Sequence, residues 1–168
     1  MKEQHYQQLQ EHVLTETLDN GLKVVMIPKE NYHKTFAVLT TPFGSLDRHF
    51  KINNSEVIDI PSGTAHFLEH KLFEKESEDA FKRFGELGAD ANAFTTAYQT
   101  SYLFSTTDNF ELSLVHLLDF VQTPYFSLQT IAKEQGIIGQ EIQMYEDDPN
   151  WIVYMGLLQI LYPKSPLA

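Results

Sequence analysis

The segment His66-Phe67-Leu68-Glu69-His70 constrains the fold of this chain more than any other. In a helix, its two histidines lie four residues apart on one face, about one turn (~5.4 Å) from each other. Both imidazoles can then reach one metal ion, and Glu69 projects from nearly the same face. Two nitrogen ligands beside a carboxylate that is not needed for binding are typical of a catalytic zinc site, and the order His-x-x-Glu-His occurs among such sites. Two surface histidines on an amphipathic helix are the alternative.

A second helical pattern lies further along the chain, in residues 131–145. Its apolar residues recur at the spacing of one helix face: Ile131, Ile138, Ile142 and Tyr145. Glu134 and Glu141 fall on the same stripe, two turns apart. A carboxylate that faces a core is costly unless it meets a cation or hydrogen-bond donors. A zinc ion held by His66 and His70 would be such a partner; otherwise both glutamates lie at the edge of the stripe and reach solvent.

The two patterns together supply the ligands of a catalytic zinc ion, which has three protein ligands and an open fourth position. His66, His70 and either Glu134 or Glu141 make up the three. The remaining glutamate could hydrogen-bond a ligand histidine from behind. Periodicity does not distinguish the two glutamates, because they share one face. Since the chain has no cysteine, only histidines and carboxylates can hold a metal.

Length and charge narrow the class of protein. With 168 residues, the chain can build one domain with a sizeable core, but hardly two. A net charge of -11 without a Lys/Arg cluster argues against nucleic-acid binding. The acidity could attract basic peptides, or it simply keeps the protein soluble. Residues 1–11 are polar and no apolar run approaches the length of a membrane span, so we expect no signal peptide, no membrane contact and a cytoplasmic protein.

Short β-rich runs alternate with turn signals in two parts of the chain. They predict five strands, over residues 13–18, 22–27, 35–41, 91–98 and 101–106. Asp19-Asn20-Gly21, between the first two, is a strong hairpin signal. Residues 45–60 are polar and irregular, which predicts a long loop beside the histidine helix.

Five helices are expected between and after the strands. The first carries the two histidines, and its expected packing residues are Phe67, Leu68 and Leu72. Ser77 is expected to cap the second helix, and Asp108 the third, on which His116 would be solvated. The order β-β-β-α-α-β-β-α-α-α predicts an α+β fold. We expect a two-layer sandwich in which a mostly antiparallel sheet carries helices packed on one face.

Several stretches share their order and spacing with one known family. They are Gly63-Thr64-Ala65-His66-Phe67-Leu68-Glu69-His70 with Phe73; Gly88-Ala89-Asp90-Ala91-Asn92-Ala93-Phe94-Thr95 leading to Thr100-Ser101-Tyr102; Glu134 and Glu141 with Ile142, Met144 and Tyr145, then Asp148-Pro149; and Leu18-Asp19-Asn20-Gly21-Leu22. Together they resemble the N-terminal catalytic domain of the pitrilysin/insulinase family of zinc peptidases, the inverzincins. Bacterial members related to mitochondrial processing peptidase are the most similar. The resemblance covers almost the whole chain.

The resemblance implies a role for each matching residue. His66, His70 and Glu141 would bind one Zn²⁺ per chain, and Glu134 would support the ligands from behind. Glu69 would act as the general base on a zinc-activated water.

The same resemblance implies a place for the substrate. Asn92 and Ala93 match the edge-strand segment on which family members dock an extended peptide. An exposed strand edge can recognise a peptide through its main chain, without a strict sequence preference. For Asn92, a turn or strand-start position is the alternative.

The implied function is a zinc-dependent endopeptidase domain that hydrolyses short or unfolded peptides. The alternative is a metal-binding but non-catalytic fragment or subunit that needs a partner domain for activity. A purely structural zinc site fits poorly, because such sites close four ligands and are usually rich in cysteine.

Family members carry a second, homologous domain, and this sequence stops at Ser165-Pro166-Leu167-Ala168. We therefore expect residues 1–168 to be an N-terminal zinc-peptidase domain that is truncated at its C-terminal end. The expected partners are a peptide substrate and a second homologous domain or subunit. Apolar surface left open near the last helix would also favour a homo-oligomer.

Overall fold

The computed structural model describes residues 1–53, 55–76 and 79–165, and the chain divides into two compact units, Met1–His33 and Lys34–Ala168. The first unit is an antiparallel sheet of β1 (Lys2–Tyr6), β2 (Glu11–Thr17) and β3 (Lys23–Met26), in that order. The predicted hairpin between β2 and β3 is confirmed. Its turn uses Gly21 at φ +88°, a left-handed conformation that suits glycine, and the N–H of Leu22 donates to Asn20 Oδ1 at 3.0 Å.

Strand β1 was not expected from the sequence. All of its residues are exposed, so it has none of the alternation of polar and apolar residues that predicts a strand. It forms because its backbone pairs with β2 along its whole length, from Lys2 opposite Thr15 to Tyr6 opposite Glu11. Its stability therefore comes from the ladder rather than from burial.

The second unit contains the remaining elements. They are β4 (Thr35–Thr41), β5 (His49–Phe50), β6 (Ile58–Asp59), α1 (Thr64–Phe73), α2 (Ala80–Glu86), β7 (Ala89–Thr95), β8 (Thr100–Thr106), α3 (Phe110–Gln122), α4 (Leu128–Glu146) and α5 (Pro149–Leu161). Strands β4, β8 and β7 form an antiparallel sheet in that order. The stretch predicted to be an irregular loop contains β5 and β6, which pair with each other.

The predicted α+β fold with an antiparallel sheet is confirmed, although the described strands form three separate sheets. Helices α1, α2 and α3 pack on the sheet of β4, β8 and β7. The buried residues of this core are Phe73, Ala80, Phe84, Ala89, Tyr102, Phe104, Leu117 and Phe120. Among the described residues, no helix is both long and apolar enough to cross a bilayer. The cytoplasmic location stays a prediction.

Two helix starts differ from the sequence expectation. Ser77 lies outside the described residues, and Asp79 caps α2 by accepting the N–H of Phe81 at 2.7 Å. Helix α3 begins after Asn109 without a side-chain cap, so the prediction of an Asp108 cap was wrong. The carboxylate of Asp108 accepts the adjacent N–H of Asn109 at 2.8 Å and does not reach the first turn.

The prediction that His116 is solvated was also wrong. Its Nε2 lies 3.0 Å from the carbonyl oxygen of Ala80, and its ring packs edge-on against Phe84 with 4.6 Å between centroids. An off-stripe position on α3 therefore contacts the neighbouring helix α2. The periodicity of a single helix does not show this contact, because it depends on where α2 lies.

Gly44 is packed against backbone where the chain leaves β4. It is buried, and its N–H donates to Asp47 Oδ2 at 2.7 Å. A Cβ at this position would lie 2.5 Å from both the oxygen of Thr96 and the nitrogen of Tyr98. These are main-chain atoms of the β7–β8 connection, which cannot rotate away as a side chain would. Only glycine permits this close approach.

We expect Gly44→Ala to lower the free energy of unfolding by about 1–3 kcal/mol, the usual cost of overpacking. Gly85 in α2 is the matched control, because a Cβ there meets no atom within 4 Å. Gly85→Ala should leave stability unchanged or raise it by up to about 1 kcal/mol, since alanine favours a helix. Urea unfolding of both variants measures the difference. Similar changes in the two proteins would contradict the assigned contact.

Candidate metal centre

Helix α1 presents its two histidines on one face, as the sequence predicts. Gly63 precedes the helix at φ +83°, and the hydroxyl of Thr64 donates to the oxygen of Pro61 at 2.7 Å. This tight turn sets the start of the helix. The rings of His66 and His70 then lie 4.6 Å apart, edge to face, and both are partly exposed.

The side of α1 that faces the core is less apolar than expected. The expected packing residues Phe67, Leu68 and Leu72 are only half-buried. Glu69 and Lys71 are buried instead, beside Ala65 and Phe73. The fully buried Lys71 contacts the carboxylate of Glu74 one turn on, which balances its charge.

Helix α4 supplies the carboxylates. It begins with a capping box in which the hydroxyl of Ser127 accepts the N–H of Thr130 at 3.2 Å. The expectation that its apolar stripe forms a core face was wrong at its C-terminal end, because Ile142 and Tyr145 are exposed. Glu134 is 8% exposed and is the one residue of this helix that the structure describes as buried.

Three side chains converge between α1 and α4. Nε2 of His66 lies 3.6 Å from Glu141 Oε2, and Nε2 of His70 lies 3.7 Å from the same oxygen. The potential ligand atoms of the three residues all lie within 4.8 Å of one another. Around a tetrahedral zinc ion, ligands bound at 2.0–2.1 Å are about 3.4 Å apart. The group therefore fits zinc after shifts of a few tenths of an ångström for the two measured pairs.

Glu134 and Glu141, which the sequence alone does not distinguish, make different contacts. Oε1 of Glu134 lies 2.8 Å from Nδ1 of His70. A carboxylate at that nitrogen favours the tautomer with the proton on Nδ1, which leaves the lone pair of Nε2 free. The free nitrogen is the one that faces Glu141. Glu134 is thus bonded to the back of His70, whereas Glu141 faces both imidazoles.

Glu69 is held on the sheet side of α1. It is 8% exposed, and the hydroxyl of Thr95 donates to its Oε2 at 2.7 Å. Thr95 in turn lies 3.5 Å from the hydroxyl of Thr100, which donates its own proton to the oxygen of Phe43 at 2.8 Å. Because a carboxylate oxygen is the acceptor, Thr95 is the donor in its contact with Glu69.

Thr95 was not among the residues predicted for the site. The available signal was strand alternation, because Ala91, Ala93 and Thr95 share the half-buried face of β7 and only Thr95 is polar. A polar residue at the end of such a series needs a partner. The sequence does not tell that this partner is on α1.

Asn92 and Ala93 lie in the middle of β7, so the turn or strand-start alternative for Asn92 was wrong. Strand β7 pairs with β8, opposite Leu103 and Tyr102 at these two positions, and is the last strand of its sheet among the described residues. The side chain Oδ1 of Asn92 accepts the N–H of Ala93 at 2.8 Å. One main-chain donor in this segment is therefore bonded to its neighbouring side chain.

Comparison with known proteins agrees with the fold and with the family resemblance of the sequence. Residues 59–168 match the family model for insulinase (peptidase family M16). The chain is 50% identical over 163 residues to "Uncharacterized zinc protease YmfH" of Bacillus subtilis (strain 168), covering 96% of this chain and 38% of that protein. It is 30% identical over 156 residues to an "Uncharacterized zinc protease" of Rickettsia felis, covering 90% and 36%.

Solved structures with the same fold include a crystal structure described as an M16-like peptidase from Alicyclobacillus acidocaldarius. It has a TM-score of 0.83 and 42% identity, covering 89% of this chain and 35% of that one. A protease from Helicobacter pylori has a TM-score of 0.72 at 22% identity, covering 88% and 35%, which shows the fold alone. The chain thus spans less than two fifths of the length of these proteins.

Tyr102 should make the free energy of unfolding depend on pH in the alkaline range. Burial raises the pKa of Tyr102, and the negative charge of Glu69 raises it further. Below about pH 10 the phenol is protonated in both folded and unfolded chains. Above it, only the unfolded chain loses the proton, so stability falls as pH rises, by up to about 1.4 kcal/mol per pH unit for this group.

We expect Tyr102→Phe to flatten the decline of unfolding free energy between pH 10 and about pH 11.5. Tyr98 is the matched control because its side chain is 67% exposed. Tyr98→Phe should leave the slope unchanged. Urea unfolding curves at several pH values give the slopes, and an identical slope for wild type and Tyr102→Phe would refute the assignment.

Proposed function

The chain belongs to the insulinase family, peptidase family M16, and we propose that it is a zinc-dependent endopeptidase domain that hydrolyses short or unfolded peptides. The observation that carries the proposal is the convergence of His66 and His70 on Glu141, with 3.6 and 3.7 Å between the nitrogens and one carboxylate oxygen. Two imidazoles and one carboxylate form a donor set of the catalytic zinc type, with a fourth position open to water.

In this proposal His66, His70 and Glu141 hold one zinc ion per chain. A bound zinc ion supplies a Lewis acid that lowers the pKa of a water molecule and polarises a peptide carbonyl. Glu134 orients the ring of His70 through the 2.8 Å contact at Nδ1. Glu134 is buried, so its carboxylate depends on that contact. This dependence supports a role in orienting His70 rather than in binding the metal.

Glu69 is proposed as the general base. It takes a proton from the attacking water while the water oxygen bonds to the carbonyl carbon, and it then delivers that proton to the nitrogen as the C–N bond breaks. Its burial and the hydrogen bond from Thr95 support this role. The bond fixes one carboxylate oxygen and leaves the other to accept the proton.

The substrate is proposed to add to β7 as an extended strand beside Asn92 and Ala93. Main-chain pairing at an edge requires a peptide without its own secondary structure, which is why short or unfolded chains are the expected substrates. The N–H of Ala93 already donates to Asn92 at 2.8 Å. A peptide carbonyl would take the place of that side chain, so Asn92 would move when the substrate pairs.

A second candidate function is supported by α5, on which no described residue is buried. Its exposed apolar residues are Trp151, Ile152, Val153, Tyr154, Leu157, Ile160 and Leu161. Apolar surface of this extent favours contact with another protein surface. Residues 1–168 would then be the N-terminal, metal-binding domain of a longer peptidase, inactive until a second homologous domain or subunit, or another copy of the chain, covers α5.

We expect the purified chain to retain one tightly held zinc ion, with affinity falling in acid because protons compete with the metal for its ligand atoms. His66→Ala and Glu141→Gln should remove it. Glu134→Gln should weaken it by only about 10–100-fold, as is usual for a residue that supports a ligand. Elemental analysis after dialysis and competition with a chelator measure this.

Glu146→Gln is the control for these metal measurements, because Glu146 is exposed on the same helix. It should leave zinc affinity unchanged. Equal losses for Glu134→Gln and Glu141→Gln would contradict the separate roles of the two carboxylates. Unchanged metal content in His66→Ala would contradict the site itself.

For activity, we expect weak or undetectable cleavage of a quenched fluorescent peptide by the chain alone. Misplacement of the scissile bond by about 1 Å can lower the rate of cleavage about 10²-fold. Strand β7 would contact one side of a bound peptide. Activity should rise when the chain is joined to the part of the Bacillus subtilis relative that follows its matched region. Glu69→Gln should abolish that activity while retaining zinc.

Two results would overturn parts of this proposal. Robust cleavage by the 168-residue chain alone, lost in Glu69→Gln, would show that no partner is needed. Full activity of Glu69→Gln in the joined protein would remove Glu69 from the mechanism.

A further inference from the structure

Outside α1 and α4, the part of the chain that the structure describes contains a further group of histidine and carboxylate side chains with the composition of a metal site. It lies on the β1–β2 hairpin and consists of Glu3, His5 and His12, whose potential ligand atoms all lie within 4.8 Å of one another. This group belongs to the unit Met1–His33, whereas α1 and α4 belong to the unit Lys34–Ala168.

Strand geometry explains why the three side chains meet. Glu3 and His5 are two residues apart on β1, so their side chains point to the same face. His12 on β2 is directly opposite His5, and directly paired residues of an antiparallel sheet share a face at close range. The two imidazole rings stack with 4.1 Å between centroids and 18° between planes.

The carboxylate of Glu3 lies between the two ring nitrogens. Its Oε1 is 3.4 Å from Nε2 of His5 and also contacts Nε2 of His12. That nitrogen of His12 is shielded from solvent but has no hydrogen bond of acceptable geometry. Its partner in the structure is the Glu3 carboxylate, and a cation placed between these two groups and His5 would be bound by all three side chains.

We propose that Glu3, His5 and His12 bind a divalent transition-metal ion that clips β1 to β2. Two imidazoles and one carboxylate suit zinc, nickel or copper, and not the oxygen-seeking magnesium or calcium. The clip would act where the hairpin is weakest. Every residue of β1 is exposed, so the strand has no apolar burial and relies on its ladder and on the ion pair between the Met1 amino group and Glu16.

The side chains could instead form a simple cross-strand ion pair between Glu3 and a protonated His12. This arrangement would stabilise the hairpin without a metal. It predicts that zinc has no effect on β1, whereas a clip predicts slower amide exchange of β1 when zinc is added, since an ion that binds the folded state shifts the equilibrium towards it.

The test is a zinc titration of the His66→Ala protein, in which the α1–α4 site is disabled. We expect this protein to bind one equivalent of zinc, more weakly than the α1–α4 site of the wild type because all three ligands are partly exposed. The amide hydrogens of β1 should then exchange several-fold more slowly. In wild-type protein, His12→Gln should remove this equivalent and leave the tightly held zinc in place.

His49→Gln is the matched control. His49 lies 3.1 Å from Asp59, an exposed histidine–carboxylate pair for which the described residues offer no third ligand. This variant should bind zinc as wild type does. Absence of zinc binding in His66→Ala, or an unchanged second equivalent in His12→Gln, would overturn the hairpin site and leave the α1–α4 site unaffected. Binding without slower exchange in β1 would overturn the clip.

Discussion

The pairing of Glu134 with His70 is the interaction on which the geometry between α1 and α4 depends. A carboxylate that is 8% exposed would destabilise the protein by several kcal/mol without a partner, so α4 can sit against α1 only where the imidazole meets it. Because no other described residue of α4 is buried, this contact sets the rotation and register of the helix. Glu141 follows from it, since a residue two turns further on returns to the same face.

The same logic explains why α1 carries charge into the core. Glu69 and Lys71 are both buried on a helix whose apolar residues Phe67 and Leu68 are only half-buried. A helix selected only for stability would bury the apolar residues and leave the charged ones in solvent. Each charged side chain has a polar partner, Thr95 for Glu69 and Glu74 for Lys71, so the helix can keep both of them out of water.

Sequence reasoning succeeded where structure is set by short-range chemistry. Asp19-Asn20-Gly21 fixes a hairpin by its backbone preferences, and the spacing of His66 and His70 fixes a shared helix face. It failed where the deciding partner is remote in sequence. The polar β1 is a strand because its backbone pairs with β2. The ring of His116 is held because it contacts Ala80 and Phe84 of α2. Glu134 and Glu141 of the α4 stripe do face α1, but the expected apolar core face was wrong at its end, because Ile142 and Tyr145 are exposed. Which glutamate faces both histidines is decided by the approach of α4 to α1, which no pattern within either helix contains.

The edge of β7 has a consequence for how copies of this protein meet each other. Open strand edges are the templates on which folded chains join into aggregates. Along β7, the N–H of Ala93 donates to the side chain of Asn92. The exposed Asp90 carries a negative charge that the same strand of a second copy would also carry. Edge-to-edge contact between two copies would break one internal hydrogen bond in each and bring like charges together. The strand is thereby protected against aggregation while its main chain stays near the surface.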